Sequence, residues 1–135
     1  MLQQLSVFVE NKVGSLREVT SVLSKQGISL KAISSFDSPD FCILRIVVDQ
    51  PEKAKEVLTK KGFAVKVTPV LAVELEDKPG ELDRVLGVLA DNGLNINYVY
   101  SFVLRGEKEP LMIMNLNDLP KATQILKQHG ITLVD

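Results

Sequence analysis

The chain has 135 residues, of which 45% are apolar and 24% charged, and its formal net charge is −1. These values exclude a mainly disordered chain, and the balanced charge argues against a nucleic-acid partner. No apolar run approaches the roughly 18 residues of a membrane span, and the first residues carry no secretory signal. The single cysteine, Cys42, cannot form an internal disulfide. We therefore expect a cytoplasmic protein that does not contact membranes.

The first half of the chain predicts six elements in order. Apolar and polar side chains alternate in strands and recur every three or four residues in helices, while glycine and proline mark the ends. The elements are a strand at residues 5–10, a helix from Leu16 to a stop at Gly27, strands at 28–36 and 41–48 joined by a turn at 37–40, a helix from Pro51 to a stop at Gly62, and a strand at 63–67. The strand at 41–48 is apolar at nearly every position, which indicates a strand covered on both faces.

The second half repeats the first at an offset of 66 residues, so that VENKVGSL at 9–16 lies over LEDKPGEL at 75–82. Two copies of one unit therefore fill the chain, and we predict domains at 1–69 and 70–135. A longer loop at 105–110 is the main insertion in the second copy. The predicted elements of this copy are strands at 71–76, 94–104, 111–116 and 131–134 and helices at 82–90 and 121–128.

The order of elements within each copy predicts the fold class. Strand, helix, strand, strand, helix, strand is a split βαβ unit. We therefore expect an α+β protein of two tandem ferredoxin-like sandwiches, each an antiparallel sheet with its helices on one face. A unit of this size is close to the limit for a stable single core. Since no Gly/Ser-rich linker separates the copies, we expect them to sit against each other.

The turn between the first strand and first helix of each copy is the first candidate site. It reads NKVGSL at 11–16 and DKPGEL at 77–82. Its glycine lets a ligand approach the backbone, and free N–H groups at the following helix start favour a carboxylate. Asn11 or Asp77 could accept hydrogen bonds from an ammonium group, so the turn is suited to an amino acid. Ordinary turn chemistry, with a capping box that starts at Ser15, explains the same residues, and the physics alone slightly favours it.

The second candidate is the second strand of the second copy, NINYVYS at 95–101, which holds both tyrosines of the chain. In this fold the strand lies at a sheet edge, where it could pair with its counterpart at 29–35 and leave a cleft at the seam between the copies. An ordinary solvated edge strand explains it equally well. A period of two divides its side chains between two faces: Asn95, Asn97, Val99 and Ser101 on one, and Ile96, Tyr98 and Tyr100 on the other.

The remaining residues form no catalytic or metal-binding set. The chain has one histidine, His129, and one cysteine, so the sequence contains neither a metal-ligand cluster nor a Cys–His pair. We therefore expect no enzyme activity, no metal and no cofactor. Phe8 and Arg45 are expected to share the sheet face away from the helices with Phe41 and Val47. If that face is open, it is an apolar patch suited to a dimer.

The second copy carries a recognisable pattern: EDKPGEL at 76–82, then Val85, Val88, Leu89, Gly93 and NIN at 95–97. This pattern resembles the ACT domain, a small amino-acid-sensing module attached to many enzymes of amino-acid metabolism. The resemblance extends over nearly the whole chain as a tandem pair without a catalytic domain. The first copy departs from the pattern, with Val13 in the position of Pro79 and with Ser29 and Lys31 in place of the two asparagines.

The resemblance implies a regulatory protein that binds a free amino acid at the seam between the copies, forms a homodimer and acts on an enzyme partner. ACT domains often pair through their second strands, and ligand contacts usually come from the first turn of one unit and the second strand of its neighbour. Because the turns differ, the two sites need not be equal. The alternative is a structural module that has lost its ligand and docks on a partner protein. Carried over, the family's ligand contacts are Asn11, Lys12, Val13, Gly14, Ser15 and Leu16, then Asp77, Lys78, Pro79, Gly80, Glu81 and Leu82, and on the strands Ser34, Ser35, Asn95, Asn97, Tyr98 and Ser101.

Overall fold

The computed structural model describes residues 1–103 and 108–135. These residues divide into two compact units. The first unit comprises Gln3–Thr68, and the second comprises Pro69–Asp135 together with Met1–Leu2. Part of the predicted loop at 105–110 and the last residue of the predicted strand at 94–104 lie outside the described residues.

The first unit is an antiparallel sheet with two helices on one face. Its sheet has the strand order β2-β3-β1-β4, with β3 antiparallel to both β1 and β2. The elements are β1 (Leu2–Glu10), α1 (Ser15–Lys25), β2 (Leu30–Asp37), β3 (Phe41–Val48), α2 (Pro51–Lys60) and the start of β4 (Ala64–Glu74).

The core of the first unit lies between the sheet and its two helices. Alternate residues of β1 point to the helices, and the opposed residues of β3 do the same, since directly paired residues share a face. Val19 and Leu23 of α1 and Ala54 and Leu58 of α2 complete this core and are fully or almost fully buried. Burying a side chain such as Leu58 contributes roughly 1.5–3 kcal/mol, so this face holds the helices in place.

The second unit repeats this architecture, which confirms the predicted fold of two tandem βαββαβ sandwiches. Its strands are antiparallel in every pairing, with β6 between β5 and β4 and with β7 against β4. Val85 and Leu89 of α3 and Ala122 and Leu126 of α4 pack on the same sheet face. The elements are the end of β4, α3 (Glu81–Asp91), β5 (Ile96–Ser101), β6 (Leu111–Leu116), α4 (Leu119–Gln128) and β7 (Leu133–Val134).

The strand β4 is continuous where the sequence predicts two strands, at 63–67 and 71–76. The segment between them contains one residue that disfavours a strand, Pro69, and no glycine, asparagine or aspartate that would form a turn. A proline holds its own φ in a range that an extended chain tolerates and favours an extended residue before it. Pro69 therefore removes one backbone donor without ending the strand.

The two edge strands each contain an irregularity that sequence periodicity does not predict. The pairing register shifts between Leu30 and Ala32 in β2 and between Ile96 and Tyr98 in β5. An extra residue in one strand reverses the alternation of faces beyond it. Ile96 is paired with Leu116 on the helix side, whereas Tyr98 is paired with Asn115 on the opposite side. The prediction that Ile96 shares a face with the two tyrosines is therefore wrong.

The sheet face of the first unit away from the helices is apolar at one end and only partly open. Val47 is 3% exposed, whereas Phe8, Phe36 and Phe41 are 41%, 56% and 45% exposed. Phe8 and Phe36 both oppose Ile43 across three adjacent strands, which places these side chains in one row. The prediction that β3 is covered on both faces thus holds near Val47 and fails near Phe41. We call Phe8, Phe36, Phe41 and Ile43 the phenylalanine row.

Candidate functional site

The two helix-start turns have nearly the same backbone. In each turn a glycine adopts a left-handed conformation just before the helix, with φ of 85° at Gly14 and 86° at Gly80. Before the glycine, the backbone N–H of a lysine donates to the carbonyl of a glutamate. The distance is 3.1 Å from Lys12 to Glu10 and 2.9 Å from Lys78 to Glu76. The same two residues form an ion pair, Nζ to Oε2, at 3.4 Å in the first unit and 2.8 Å in the second.

The backbone conformation alone accounts for glycine at Gly14 and Gly80. An L-residue with a side chain is strained at this positive φ. A Cβ added at either position would meet no atom within 4 Å, so the surrounding protein does not exclude a side chain. The glycines are therefore explained by the turn itself, as the structural interpretation of the sequence expects.

The capping box predicted from Ser15 is wrong. Gly14 takes the N-cap position of α1, which moves Ser15 to the first helical residue, and no side chain caps this helix. The start of α3 after Gly80 likewise has no side-chain cap, whereas Asp118 at α4 accepts a hydrogen bond from the N–H of Lys121 at 3.1 Å. The first turns of α1 and α3 thus have N–H groups without a cap, and these groups favour an anion.

The two turns differ in the side chain of the first helical residue and in its hydrogen bonds. Ser15 is 5% exposed, and its hydroxyl has no hydrogen-bond partner among the described residues. Glu81 at the matching position is 4% exposed and accepts hydrogen bonds from Arg84, at 2.7 Å from Nη2 and 3.4 Å from Nε. The hydrogen bond from Arg84 lowers the pKa of the Glu81 carboxyl below its usual value. The second helix start therefore has a buried carboxylate paired with an arginine, whereas the acidic residue in the first turn of α1, Glu18, is exposed.

The other predicted turn residues lie at the surface. Asn11 donates from Nδ2 to the carbonyl of Ser38 at 2.8 Å, and the N–H of Asp77 donates to Glu109 Oε2 at 3.0 Å. Each turn is thus tied to the loop that follows the second strand of its unit. Val13, at the position that Pro79 holds in the second unit, is completely exposed, so no packing contact depends on which of the two residues stands there. Of the remaining residues in this set, one is half-buried, Leu82, and the others are exposed: Lys12, Leu16, Lys78 and Pro79.

The predicted strand residues do not share one face. Ser34 is paired with Arg45 and Ser35 with Leu44, and adjacent residues of a strand point to opposite sides. In β5, Tyr98 stacks on Tyr100 with ring centroids 6.3 Å apart. Ser101 is paired with Met112 on the helix side, away from these rings. A pocket on one face of a sheet can therefore contact only part of the predicted set.

A group of four asparagine side chains lies at the irregular end of β5. Asn97 donates from Nδ2 to Oδ1 of Asn115 at 2.7 Å and of Asn117 at 3.0 Å, and it accepts from Asn95 at 3.3 Å. Sequence reasoning found Asn95 and Asn97 but missed Asn115 and Asn117. The alternation of asparagine and leucine at 115–117 was the available signal. These amides hold Asn97 in one orientation.

The described parts of the chain contain no cluster of three or more His, Cys, Asp or Glu residues that could hold a metal ion. The helices within residues 1–103 and 108–135 are too short or too polar to cross a bilayer.

Comparison with known proteins assigns a family to this architecture. Residues 1–135 match the family described as an ACT domain pair. The structure is similar to that of protein BT0572 from Bacteroides thetaiotaomicron, with 37% identity, a TM-score of 0.92, and coverage of 98% of this chain and 91% of that one. No curated protein matches the sequence.

Two solved structures named as regulatory subunits of aspartate kinase share the fold. The subunit from Thermus thermophilus, in its ligand-free form, has 17% identity and a TM-score of 0.66 over 94% of this chain and 91% of that one. The subunit from Thermus flavus has 18% identity and a TM-score of 0.62 over 95% and 93%. At this identity the likeness concerns the fold alone.

Proposed function

Because the chain belongs to the family of ACT domain pairs, we propose that it is a regulatory protein that binds a free amino acid and signals its presence to an enzyme partner. The observation that carries this proposal is the duplicated helix start, in which a left-handed glycine leaves the first turn of the helix without a side-chain cap. The regulatory subunits of aspartate kinase with the same fold support a regulatory role in place of a catalytic one.

The chemistry of the turns is suited to both charged ends of an amino acid. The N–H groups at the helix start and the partial positive charge of the helix dipole stabilise a carboxylate. Asp77 lies three residues before Gly80, and its exposed carboxylate is available to an ammonium group. A ligand that binds one arrangement of the protein better than another shifts the population toward it, which is how occupancy would reach a partner.

The finer parts of this proposal come from the family resemblance. They are ligand contacts in both turns and on the second strands, a binding position at the seam between domains 1–69 and 70–135, and a cytoplasmic location. We also propose that the chain forms a homodimer. The exposed phenylalanine row of the first unit supports this, since contiguous apolar surface on a monomer often marks an interface.

A thermal-shift screen of the purified chain against the twenty amino acids, one at a time, tests the function. A ligand that binds only the folded state at about 100 times its Kd adds roughly 2.7 kcal/mol to the free energy of unfolding. We expect one amino acid or a few related ones to raise the Tm by several degrees. If no amino acid raises the Tm, the sensor function is wrong, and the alternative of a ligand-free docking module takes its place.

Asp77→Asn provides the matched variant for this screen. It removes the charge offered to the ammonium group while keeping the shape of the side chain, so the affinity should fall about tenfold or more, which corresponds to about 1.4 kcal/mol. Asp91→Asn makes the same change at the exposed end of α3 and should keep the wild-type affinity. Equal affinity of both variants would show that Asp77 does not contact the ligand.

A further inference from the structure

A small cleft lies within the first unit beside the start of α1. Its volume is about 220 Å³, which suits a ligand smaller than a typical drug molecule. Val9 and Phe63 contribute apolar surface to it, and Ser15 lines it together with three charged residues, Glu10, Lys12 and Glu18. All of these residues belong to the first unit, so the cleft is complete without any other part of the chain.

The Ser15 hydroxyl marks this cleft as a binding site. It is buried without a hydrogen-bond partner among the described residues, at the start of a helix that no side chain caps. A buried hydroxyl without a partner costs free energy, and so do N–H groups left without an acceptor. A ligand oxygen that accepted hydrogen bonds here would remove both costs.

The second unit carries a carboxylate at the position of Ser15. At the offset of the repeat, Glu81 stands in the place of Ser15 and Arg84 in the place of Glu18. The Glu81 carboxylate is buried in the first turn of α3 and paired with Arg84 at 2.7 Å. The matching position in the first unit has neither this carboxylate nor this guanidinium. A ligand carboxylate would therefore take the place that Glu81 holds in the second unit.

The charges around the cleft indicate what else the ligand carries. Glu10, Lys12 and Glu18 together leave one excess negative charge, and Lys12 is 3.4 Å from Glu10. A simple anion would be repelled by this excess, whereas a ligand that also carries an ammonium group would neutralise it. The apolar surface of Val9 and Phe63 favours an apolar remainder.

We propose that this cleft binds an α-amino acid with an apolar side chain, with its carboxylate at Ser15 and Lys12 and its ammonium group at Glu18. The second unit closes the equivalent place with its own Glu81–Arg84 pair. This inference rests on the proposed function and adds, within the first unit, a ligand position separate from the one at the seam, where Asp77 would act. It also places the ligand on the side of the turn that faces Phe63, away from the β2 edge.

The test introduces the Glu81–Arg84 ion pair of the second unit at the matching positions of the first unit, Ser15 and Glu18. Isothermal titration of the apolar amino acids that pass the thermal screen is repeated on the double variant S15E/E18R. We expect an affinity loss of at least about tenfold, because the new carboxylate occupies the position of the ligand. The variant E56R/T59E makes the same types of substitution on exposed positions of α2 and should keep the wild-type affinity.

Two further measurements keep the result independent of how the variant folds. In amide NMR spectra of the wild-type chain, the amino acid should shift Ser15, Glu18 and Phe63 more than Asn97 or Ser101. The N-acetylated form of the same amino acid, which lacks the ammonium group, should bind at least about tenfold more weakly.

The outcomes separate the two proposals. Wild-type affinity in S15E/E18R, with shifts centred on Asn97 and Ser101, would overturn the cleft while leaving the proposed function intact. If none of the twenty amino acids binds the wild-type chain, both proposals are wrong.

Discussion

Gly80 and Gly87 lie seven residues apart in the second unit, and their backbone conformations differ. Gly80 has a φ of 86°, whereas Gly87 lies inside the helix α3. A Cβ at either position would meet no atom within 4 Å, so packing is not the reason for either glycine. The two positions therefore isolate the effect of backbone conformation from that of space.

Gly80→Ala should lower the free energy of unfolding by about 1–2 kcal/mol, because an L-residue is strained in the left-handed region. Gly87→Ala should raise it by roughly 0.5–1 kcal/mol, because alanine is the better helix former and loses less entropy on folding. Urea unfolding of both variants measures these changes. Stabilisation by Gly80→Ala would contradict the conformational explanation.

The Glu81–Arg84 pair makes the stability of the chain depend on pH. The hydrogen bond from Arg84 lowers the pKa of Glu81 from the reference value of 4.5. A carboxyl whose pKa is lower in the folded state stabilises the fold at pH values above its unfolded pKa, and this contribution is lost as the pH falls through the folded pKa.

We therefore expect Glu81→Gln to be less stable than the wild type at neutral pH. The difference should shrink below pH 4.5 and vanish once Glu81 is protonated in the folded state. Urea midpoints at a series of pH values measure this. Glu56→Gln is the control, because it removes one partner of an exposed pair with Lys60, and exposed pairs contribute little. A difference between Glu81→Gln and wild type that persists in acid would refute the charge effect.

At the scale of the elements, the helices in the described part of the chain begin in two ways. Glycine precedes α1 and α3, and both lack a side-chain cap, whereas α2 and α4 begin with a proline in the first turn. Among these starts, α4 has an N-cap residue, Asp118, that accepts a hydrogen bond from Lys121. Helix α2 also lacks a side-chain cap, so α1, α2 and α3 leave their first N–H groups for another acceptor, and α1 and α3 differ from α2 by the left-handed glycine before them.

Asp118→Ala should reduce the free energy of unfolding by about 1 kcal/mol, because it leaves an N–H of α4 without its acceptor. The comparison is Gln50→Ala at the same position of α2, where the side chain makes no cap bond and only an exposed 3.3 Å contact with the carbonyl of Gly27. Its cost should stay below about 0.5 kcal/mol. Thermal unfolding of both variants measures these losses of stability. An equal loss in the two variants would exclude capping as the cause.

At the scale of the whole molecule, the chain is a duplicated unit whose copies have kept their architecture and changed their chemistry. Both turns retain the glycine, the lysine and the glutamate with matching hydrogen bonds. Two of the differences between the turns change the charge at the helix start: Ser15 against Glu81 and Glu18 against Arg84. The two copies thus present helix starts of unequal charge within one chain.

The proposed homodimer is tested at this scale. Phe36 is 56% exposed in the phenylalanine row, so Phe36→Ser should shift the sedimentation of the chain from dimer to monomer. Val13→Ser is the matched control, since Val13 is completely exposed outside the row, and it should leave the dimer unchanged. A wild-type chain that sediments as a monomer at all concentrations would exclude this homodimer.

The sequence by itself determined the order of elements, the duplication and the positions of the turns. These features depend on local patterns, such as alternation in strands, the three-to-four-residue period in helices, and glycine where φ is positive. Helix α1 and strand β3 lie close to their predicted bounds, and the family resemblance follows from the same short patterns.

Only the tertiary structure decided which side chains meet. The shift in β5 at Asn97 depends on its pairing with β6, and β4 runs on through Pro69 where the sequence predicts two strands. The sequence predicts Ser15 as a capping residue, but Gly14 takes the cap position, and the Ser15 hydroxyl is buried with no hydrogen-bond partner among residues 1–103 and 108–135. Contacts between residues far apart in the chain set these features, and local patterns carry no information about them.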